Sequence, residues 1–208
     1  MLHTETVEPV TLELLKQLMG LAALKDFTLV GGTALSLKFG HRKSIDLDLF
    51  SISKFDNQEL KDLLAANFES FESSVPNNAP GVFAYIDGVK VDFVQYHFHP
   101  LIRPVEIVDG VRMASDEDIA AMKIFAILQR AKKKDFWDIN LLLEKFGLEN
   151  IISFYREKFP KNQMLISISQ ALLYFDDVEN DEDPVSLHNM TWEQVKKEIK
   201  KHVNNYLN

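Results

Sequence analysis

The chain has 208 residues, 46% hydrophobic and 26% charged, a balance that builds a sizeable core and excludes a disordered or collagen-like protein. Its net charge of −8, from 23 Lys and Arg against 31 Asp and Glu, argues against non-specific wrapping of nucleic acid but leaves room for a local basic patch. It has no cysteine, which excludes disulfides, thiolate zinc sites and cysteine nucleophiles. The opening MLHTETVEPV has no apolar signal core, and no apolar run approaches the roughly 20 residues of a membrane span. A cytoplasmic protein with no membrane partner is expected.

In chain order, Thr11 to Leu24 predicts a helix with Leu12, Leu15, Met19 and Ala22 on one face. Phe27 to Val30 predicts a short strand running into Gly31-Gly32, and Thr33 to Phe39 a short helix ended by Gly40. Ile45 to Phe50 alternates with the two-residue period of a strand, and Asn57 to Asn67 returns to helical spacing. Pro76 to Pro80 predicts a turn. Val82–Ile86 and Val89–Tyr96 flank Asp87-Gly88, a strong hairpin signal.

Beyond Met113 the pattern is helical. Ser115 opens a helix with Asp116, Glu117 and Asp118 at its positive end, running to about Arg130. Asp135–Phe146, stopped by Gly147, and Glu149–Lys158, stopped by Pro160, predict two more helices, and Gln163–Phe175 a fourth. Asp176–Pro184 is an acidic loop. Thr191 and Gln194 predict a capping box for a last helix with Trp192, Val195, Ile199 and Val203 buried. The expected architecture is α+β, with a small mixed sheet and flanking helices over residues 1–112 and a helical region over 113–208.

The chemistry concentrates in Leu29 to Ser51. Asp46 and Asp48, two apart on a strand, face the same way about 6.6 Å apart at Cα, close enough for both carboxylates to reach metal. Hard cations such as Mg²⁺, or Mn²⁺ in its place, bind through carboxylates and substrate phosphates. Asp92, within the apolar run Val89–Val94, offers a third acid. Burying such a carboxylate costs several kcal/mol unless a cation or donor compensates, and three acids on core strands could build a two-metal clamp for phosphoryl or nucleotidyl transfer. Gly31-Gly32 before a helix beginning near Thr33 lets backbone N–H groups approach phosphate. Taken singly, Gly-Gly reads as a tight turn and Asp-x-Asp as a solvated edge strand. In the order strand, Gly-Gly, helix, Asp-x-Asp, they point to one site.

VGGTALSLKFGHRKSIDLDLF resembles the signature of the DNA polymerase β-like nucleotidyltransferases. Within that superfamily it is most similar to the AbiEii/AbiGii toxin group: Gly31-Gly32-Thr33-Ala34-Leu35 matches its GGTAL, and Arg42, Ser44, Asp46 and Asp48 match its R-x-S-x-D-x-D. Ala121-Met122-Lys123, Arg130 and Asp135-Phe136-Trp137-Asp138 match a later block of that group. The resemblance spans residues 27–143 in blocks. It implies a helical region closing a nucleotide cleft, and transfer of a nucleoside monophosphate from an NTP to an acceptor hydroxyl. Asp46, Asp48 and Asp92 would be the metal-binding and catalytic acids. Gly31, Gly32, Thr33, Ser44, Lys123, Arg130 and Asp138 would bind the nucleotide. The implied partners are an RNA acceptor such as tRNA and an antitoxin protein. A small-molecule acceptor of aminoglycoside type, or a non-catalytic nucleotide-binding member of the superfamily, stand as alternatives.

Several residues carry a second reading. Lys123 is either a triphosphate ligand or a snorkelling lysine on an amphipathic helix. Lys132-Lys133-Lys134 reads as a solvated corner, with RNA phosphate as the alternative. Asp135 reads first as a helix cap, with pairing to Arg130 or Lys123 as the alternative, and Asp138 as a site residue or a salt-bridge partner. His97 and His99 alternate on one predicted strand face but lack an evident third ligand, so a surface position is expected. Most of the aromatics of the helical half, Phe125, Phe136, Trp137, Phe146, Phe154 and Tyr155, are expected in the core, with base stacking as the alternative for an exposed one.

Overall fold

The structure, a computed structural model, describes residues 1–73, 79–163 and 165–208; most of the expected Pro76–Pro80 turn lies outside them. The chain packs as two compact units. The first comprises Met1–Phe39, Ser44–Pro100 and Val105–Ala114, the second Gly40–Lys43, Leu101–Pro104 and Ser115–Asn208. Among the described residues, no helix is long and apolar enough to cross a membrane.

Among the described residues, the first unit is a mixed sheet with three α-helices. Helix α1 (Pro9–Gly20) starts at Pro9 because proline's fixed φ suits a first turn. It stops at Gly20, and Ala22–Leu24 follows as a 3₁₀ turn, so the expected single helix to Leu24 is broken. Strand β1 (Phe27–Val30) is buried throughout and leads into α2 (Gly31–Phe39). Strand β2 (Leu47–Ser51) begins two residues later than expected. Ile45 is 66% exposed, and the Asp46 carbonyl accepts from the Thr33 hydroxyl. Asp46 therefore precedes the strand and does not alternate along it.

Helix α3 (Asn57–Asn67) is capped by Asp56, which accepts from the Gln58 and Glu59 N–H groups. Strands β3 (Phe71–Glu72), β4 (Gly81–Ile86) and β5 (Val89–Gln95) follow. Asp87 and Gly88 both take positive φ, 50° and 77°, as a type I′ turn requires. Because β5 ends at Gln95, His97 and His99 lie in the turn beyond it and not on a strand face. Strands β6 (Glu106–Val108) and β7 (Val111–Met113) form a second hairpin through Asp109-Gly110. The sheet order among the described residues is β3-β4-β5-β2-β1-β7-β6. Leu47, Leu49, Val82, Ala84, Val91 and Phe93 are buried, while the alternating residues Asp48, Phe50, Phe83, Lys90 and Asp92 stand on the more open face.

The second unit is helical. Ser115 caps α4 (Asp116–Gln129) by accepting from the Asp118 N–H. Helix α5 (Lys133–Lys158) joins two expected helices, and its interior leaves helical geometry at Gly147, with φ 74° and ψ 160°. Helix α6 (Ile168–Leu173) is shorter than the expected Gln163–Phe175 because the Ser167–Gln170 capping box sets its start. Helix α7 (Trp192–Leu207) starts at the Thr191–Gln194 capping box and buries Trp192, Val195, Ile199 and Val203. Trp192 stacks on Trp137 at 5.5 Å between ring centroids.

Lys133 corrects the solvated-corner expectation. It is buried, its ammonium donating to the Glu179 carbonyl and an Asp183 carboxylate oxygen, both at 3.0 Å, and lying over the Trp192 ring. The amphipathic stem covers the ring while the charge finds two acceptors.

Candidate active site

In the first unit, β1 delivers the chain to Gly31, whose φ of +72° is a backbone state that side chains rarely adopt. A Cβ there would lie 2.6 Å from the Asp48 Oδ2. The glycine therefore supplies both the turn and the space for the carboxylate. Next to it, Gly32 and Thr33 are buried in the first turn of α2. The Thr33 hydroxyl donates to the Asp46 carbonyl and so accepts from the Ser44 hydroxyl at 2.8 Å. Thr33 of α2 thus ties Ser44 and Asp46, from the segment before β2, into one hydrogen-bonded group.

Strands β2 and β5 are parallel neighbours, and Asp48 and Asp92 are register partners across them, about 4.8 Å apart in backbone spacing. The sheet brings these two acids together directly. Asp92 Oδ2 accepts from the Lys90 ammonium at 2.9 Å, whereas Asp92 Oδ1 is buried without a hydrogen-bond partner. Lys90 shares the face of Asp92, two residues away. Burial pulls its pKa down, but the hydrogen bond and charge of Asp92, with the charges of Asp46 and Asp48, outweigh this and raise it.

The donor set fits a divalent cation: oxygen-only, anionic, with one buried carboxylate oxygen lacking a donor. It is not a finished cage. Among the described residues, no group of three His, Cys, Asp or Glu side chains is gathered for a metal ion, and an ammonium already occupies one edge.

In the second unit, a buried charge cluster collects the remaining expected residues. Asp138, fully buried, accepts from Arg42 Nε at 2.7 Å and Nη2 at 2.8 Å, and from the His41 ring at 2.8 Å. The Lys123 ammonium lies 2.6 Å from Asp138 Oδ2 and 2.8 Å from Asp135 Oδ1. Burial alone would raise the Asp138 pKa, but Arg42, Lys123 and the bond from His41 hold it well below the usual carboxylate range. Burial lowers the Lys123 pKa less than Asp138 and Asp135 raise it. Burial dominates for His41 and depresses its pKa; its Nδ1 is buried without a partner, so a second ring proton would have no acceptor there.

Lys123 is thus no snorkelling lysine, and Asp135 no cap: it lies inside α5 and pairs with Lys123. Arg130 keeps a side chain 60% exposed, its guanidinium 3.7 Å from Asp135. Lys90 and His41 belong to the two charge clusters without being marked by any motif in the sequence. For Lys90 the signal was its two-residue spacing from Asp92 on a strand, which forces a common face. For His41 adjacency to Arg42 was the only signal.

The chain is 33% identical over 207 residues to an uncharacterized protein of Aquifex aeolicus (strain VF5), covering 94% of this chain and 95% of that one. Solved structures share its fold. JHP933 from Helicobacter pylori superposes with a TM-score of 0.59 at 21% identity, covering 96% of this chain and 92% of that one. MenT4, a nucleotidyltransferase toxin from Mycobacterium tuberculosis H37Rv, gives 0.57 at 15%, covering 91% and 81%. ANT(2″)-Ia in complex with adenylyl-2″-tobramycin gives 0.51 at 19%, covering 70% and 94%. Residues 13–206 match the nucleotidyl transferase AbiEii toxin family of type IV toxin–antitoxin systems; this chain belongs to that family and is a nucleotidyltransferase.

Proposed function

We propose that the protein transfers a nucleoside monophosphate from an NTP to a hydroxyl of an RNA acceptor, as the cytoplasmic toxin of a toxin–antitoxin pair with an antitoxin protein as partner. The observation that carries this reading is the register pairing of Asp48 with Asp92 beside Gly31, with Asp92 Oδ1 buried and without a donor. Asp46, Asp48 and Asp92 would hold Mg²⁺, or Mn²⁺ in its place. When bound, the cation would offset phosphate charge and favour ionisation of the acceptor hydroxyl.

The chain's own groups do the rest. Gly31 and Gly32 let backbone come close to the phosphates, and the Thr33–Ser44 hydroxyl pair orients the loop that carries Asp46. Asp92 draws the acceptor proton, the new oxygen–phosphorus bond forms at the α-phosphate, and the α–β phosphoanhydride bond breaks to release pyrophosphate. Of the three ammonium donors on Lys123, one faces Asp135 and one Asp138; the third is assigned to the triphosphate, with Arg130 adding charge and Asp138 fixing the lysine. The test is incubation with each labelled NTP, Mg²⁺ and total tRNA. Label in RNA supports the reading, and label in no RNA overturns it. A small-molecule acceptor is the second reading, favoured by the fold shared with ANT(2″)-Ia, and tobramycin in the same assay tests it.

A further inference from the structure

A cavity of about 680 Å³ opens on the sheet over β3, β4 and β5, and Asp92 lies in its wall. Its lining includes Phe71, Phe83 and Tyr85, with Glu72, Lys90 and Asp92. Phe83 is the register partner of Asp92, Tyr85 that of Lys90, and Glu72 that of Tyr85. Antiparallel partners share a face, so Phe83, Tyr85 and Glu72 stand on the same side of the sheet as the acids. Tyr85, one register pair from the Asp87-Gly88 turn, is a large ring left 54% exposed.

We infer that this cavity is the acceptor subsite, and that it seats the base of the nucleotide whose hydroxyl attacks against the Phe83 and Tyr85 rings. The inference rests on the nucleotidyl-transfer reading above. Sheet order separates the two substrates. Gly31 lies at the end of β1, on one side of the Asp48–Asp92 pair, and the cavity lies over β5, β4 and β3, on the other. The NTP phosphates therefore approach from the β1 side, and the attacking strand from the β4 side, with Asp92 where they meet. The lining suits a nucleotide: aromatic faces accept any base by stacking, and the Lys90 ammonium at the rim suits the adjoining phosphodiester.

The test uses the full-length protein and fluorescently labelled, unstructured octaribonucleotides, titrated without NTP, alongside KM values for NTP and for the same octamers. Tyr85→Ala is expected to weaken octamer binding about tenfold and to raise the octamer KM similarly, the loss of one base–aromatic contact. Tyr85→Phe, which keeps the ring, restores both, and the NTP KM stays within about twofold in each variant. Because Tyr85 is half exposed, the alanine variant keeps its fold, which circular dichroism verifies. Equal octamer affinity in wild type and Tyr85→Ala overturns the subsite. So does a rise in NTP KM with unchanged octamer binding, which would give the cavity to the NTP base. Octamer binding lost in Tyr85→Ala, but with no transfer by wild type from any NTP, supports the subsite while overturning the transfer chemistry.

Discussion

Arg42 holds both carboxylate oxygens of Asp138, through Nε at 2.7 Å and Nη2 at 2.8 Å, with neither side chain meaningfully exposed. The planar guanidinium matches a carboxylate in two parallel bonds, a geometry that lysine cannot reproduce. Arg42 comes from the R-x-S-x-D-x-D block and Asp138 from the Asp-x-x-Asp block, 96 residues on. Two sequence blocks with no local reason to co-occur are thus joined in one buried ion cluster. Asp138→Asn leaves Arg42 and Lys123 buried with a neutral partner and is expected to cost about 3–5 kcal/mol of stability. Arg42→Lys is expected to cost less, because the charge survives while one of the two bonds is lost. Urea titrations of wild type and both variants measure the difference, and an Arg42→Lys protein as stable as wild type would show that the paired geometry contributes nothing beyond charge.

The same cluster makes stability depend on pH. Burial, against the pull of Asp138, holds the His41 pKa below its ordinary 6.5. The unfolded chain therefore takes up a proton near pH 6.5 that the folded chain refuses. Stability is full above that pH and falls as pH drops towards the folded value, by at most about 1.4 kcal/mol per pH unit. Asp138, also depressed, adds a separate loss only below about its unfolded value of 3.8. His41→Gln is expected to flatten the unfolding free energy between about pH 6.5 and 5 relative to wild type. Parallel profiles in that window would show that His41 titrates alike in both states.

Much of this was legible in sequence because the signals were local. The Asp87-Gly88 turn, the Ser115 and Thr191 caps and the α7 stripe each depend on residues within one or two turns, and each stands where its pattern places it. The Asp109-Gly110 hairpin carries the same turn chemistry, but its flanking strands of three residues are too short for alternation to register. Gly-Gly and Asp-x-Asp marked the acids' neighbourhood, but period alone put Asp46 on the strand. A hydrogen bond from Thr33, 13 residues earlier in the chain, takes the Asp46 carbonyl, and no local pattern encodes that. The burial of Lys123 and Lys133 was illegible for a related reason. A lysine looks solvated until distant acids are folded onto it, here Asp135 and Asp138 for one and Asp183 for the other.

Gly31 ties backbone to chemistry. Alanine there meets two penalties: a φ of +72°, and a Cβ 2.6 Å from the Asp48 carboxylate. Gly31→Ala is expected to lose about 1–3 kcal/mol of stability and to displace Asp48, lowering transfer by more than the loss of folded protein explains. Gly20→Ala is the control, since its Cβ meets nothing within 4 Å and it sits at the end of α1. Thermal melts read the first effect, and turnover per folded molecule the second.

Asp48→Asn separates chemistry from fold. The amide keeps the carboxylate's shape, so the packing against Gly31 survives, but it deletes one anionic ligand and its repulsion of Asp92, its register partner. The variant is expected to melt no lower than wild type, because like charges directly opposite on a sheet are destabilising. It is also expected to lose the metal response: Mg²⁺ or Mn²⁺ that raises the wild-type melting temperature, by binding the folded state alone, should leave the variant nearly unmoved. Transfer should fall at least a hundredfold, consistent with losing an interaction worth several kcal/mol in the transition state. Each measurement bears on a separate step. A lower melting temperature without metal would mean that Asp48 holds the sheet together. Unchanged turnover with an intact fold would remove Asp48 from the chemistry, leaving Asp92 and its Lys90 pair as a structural contact.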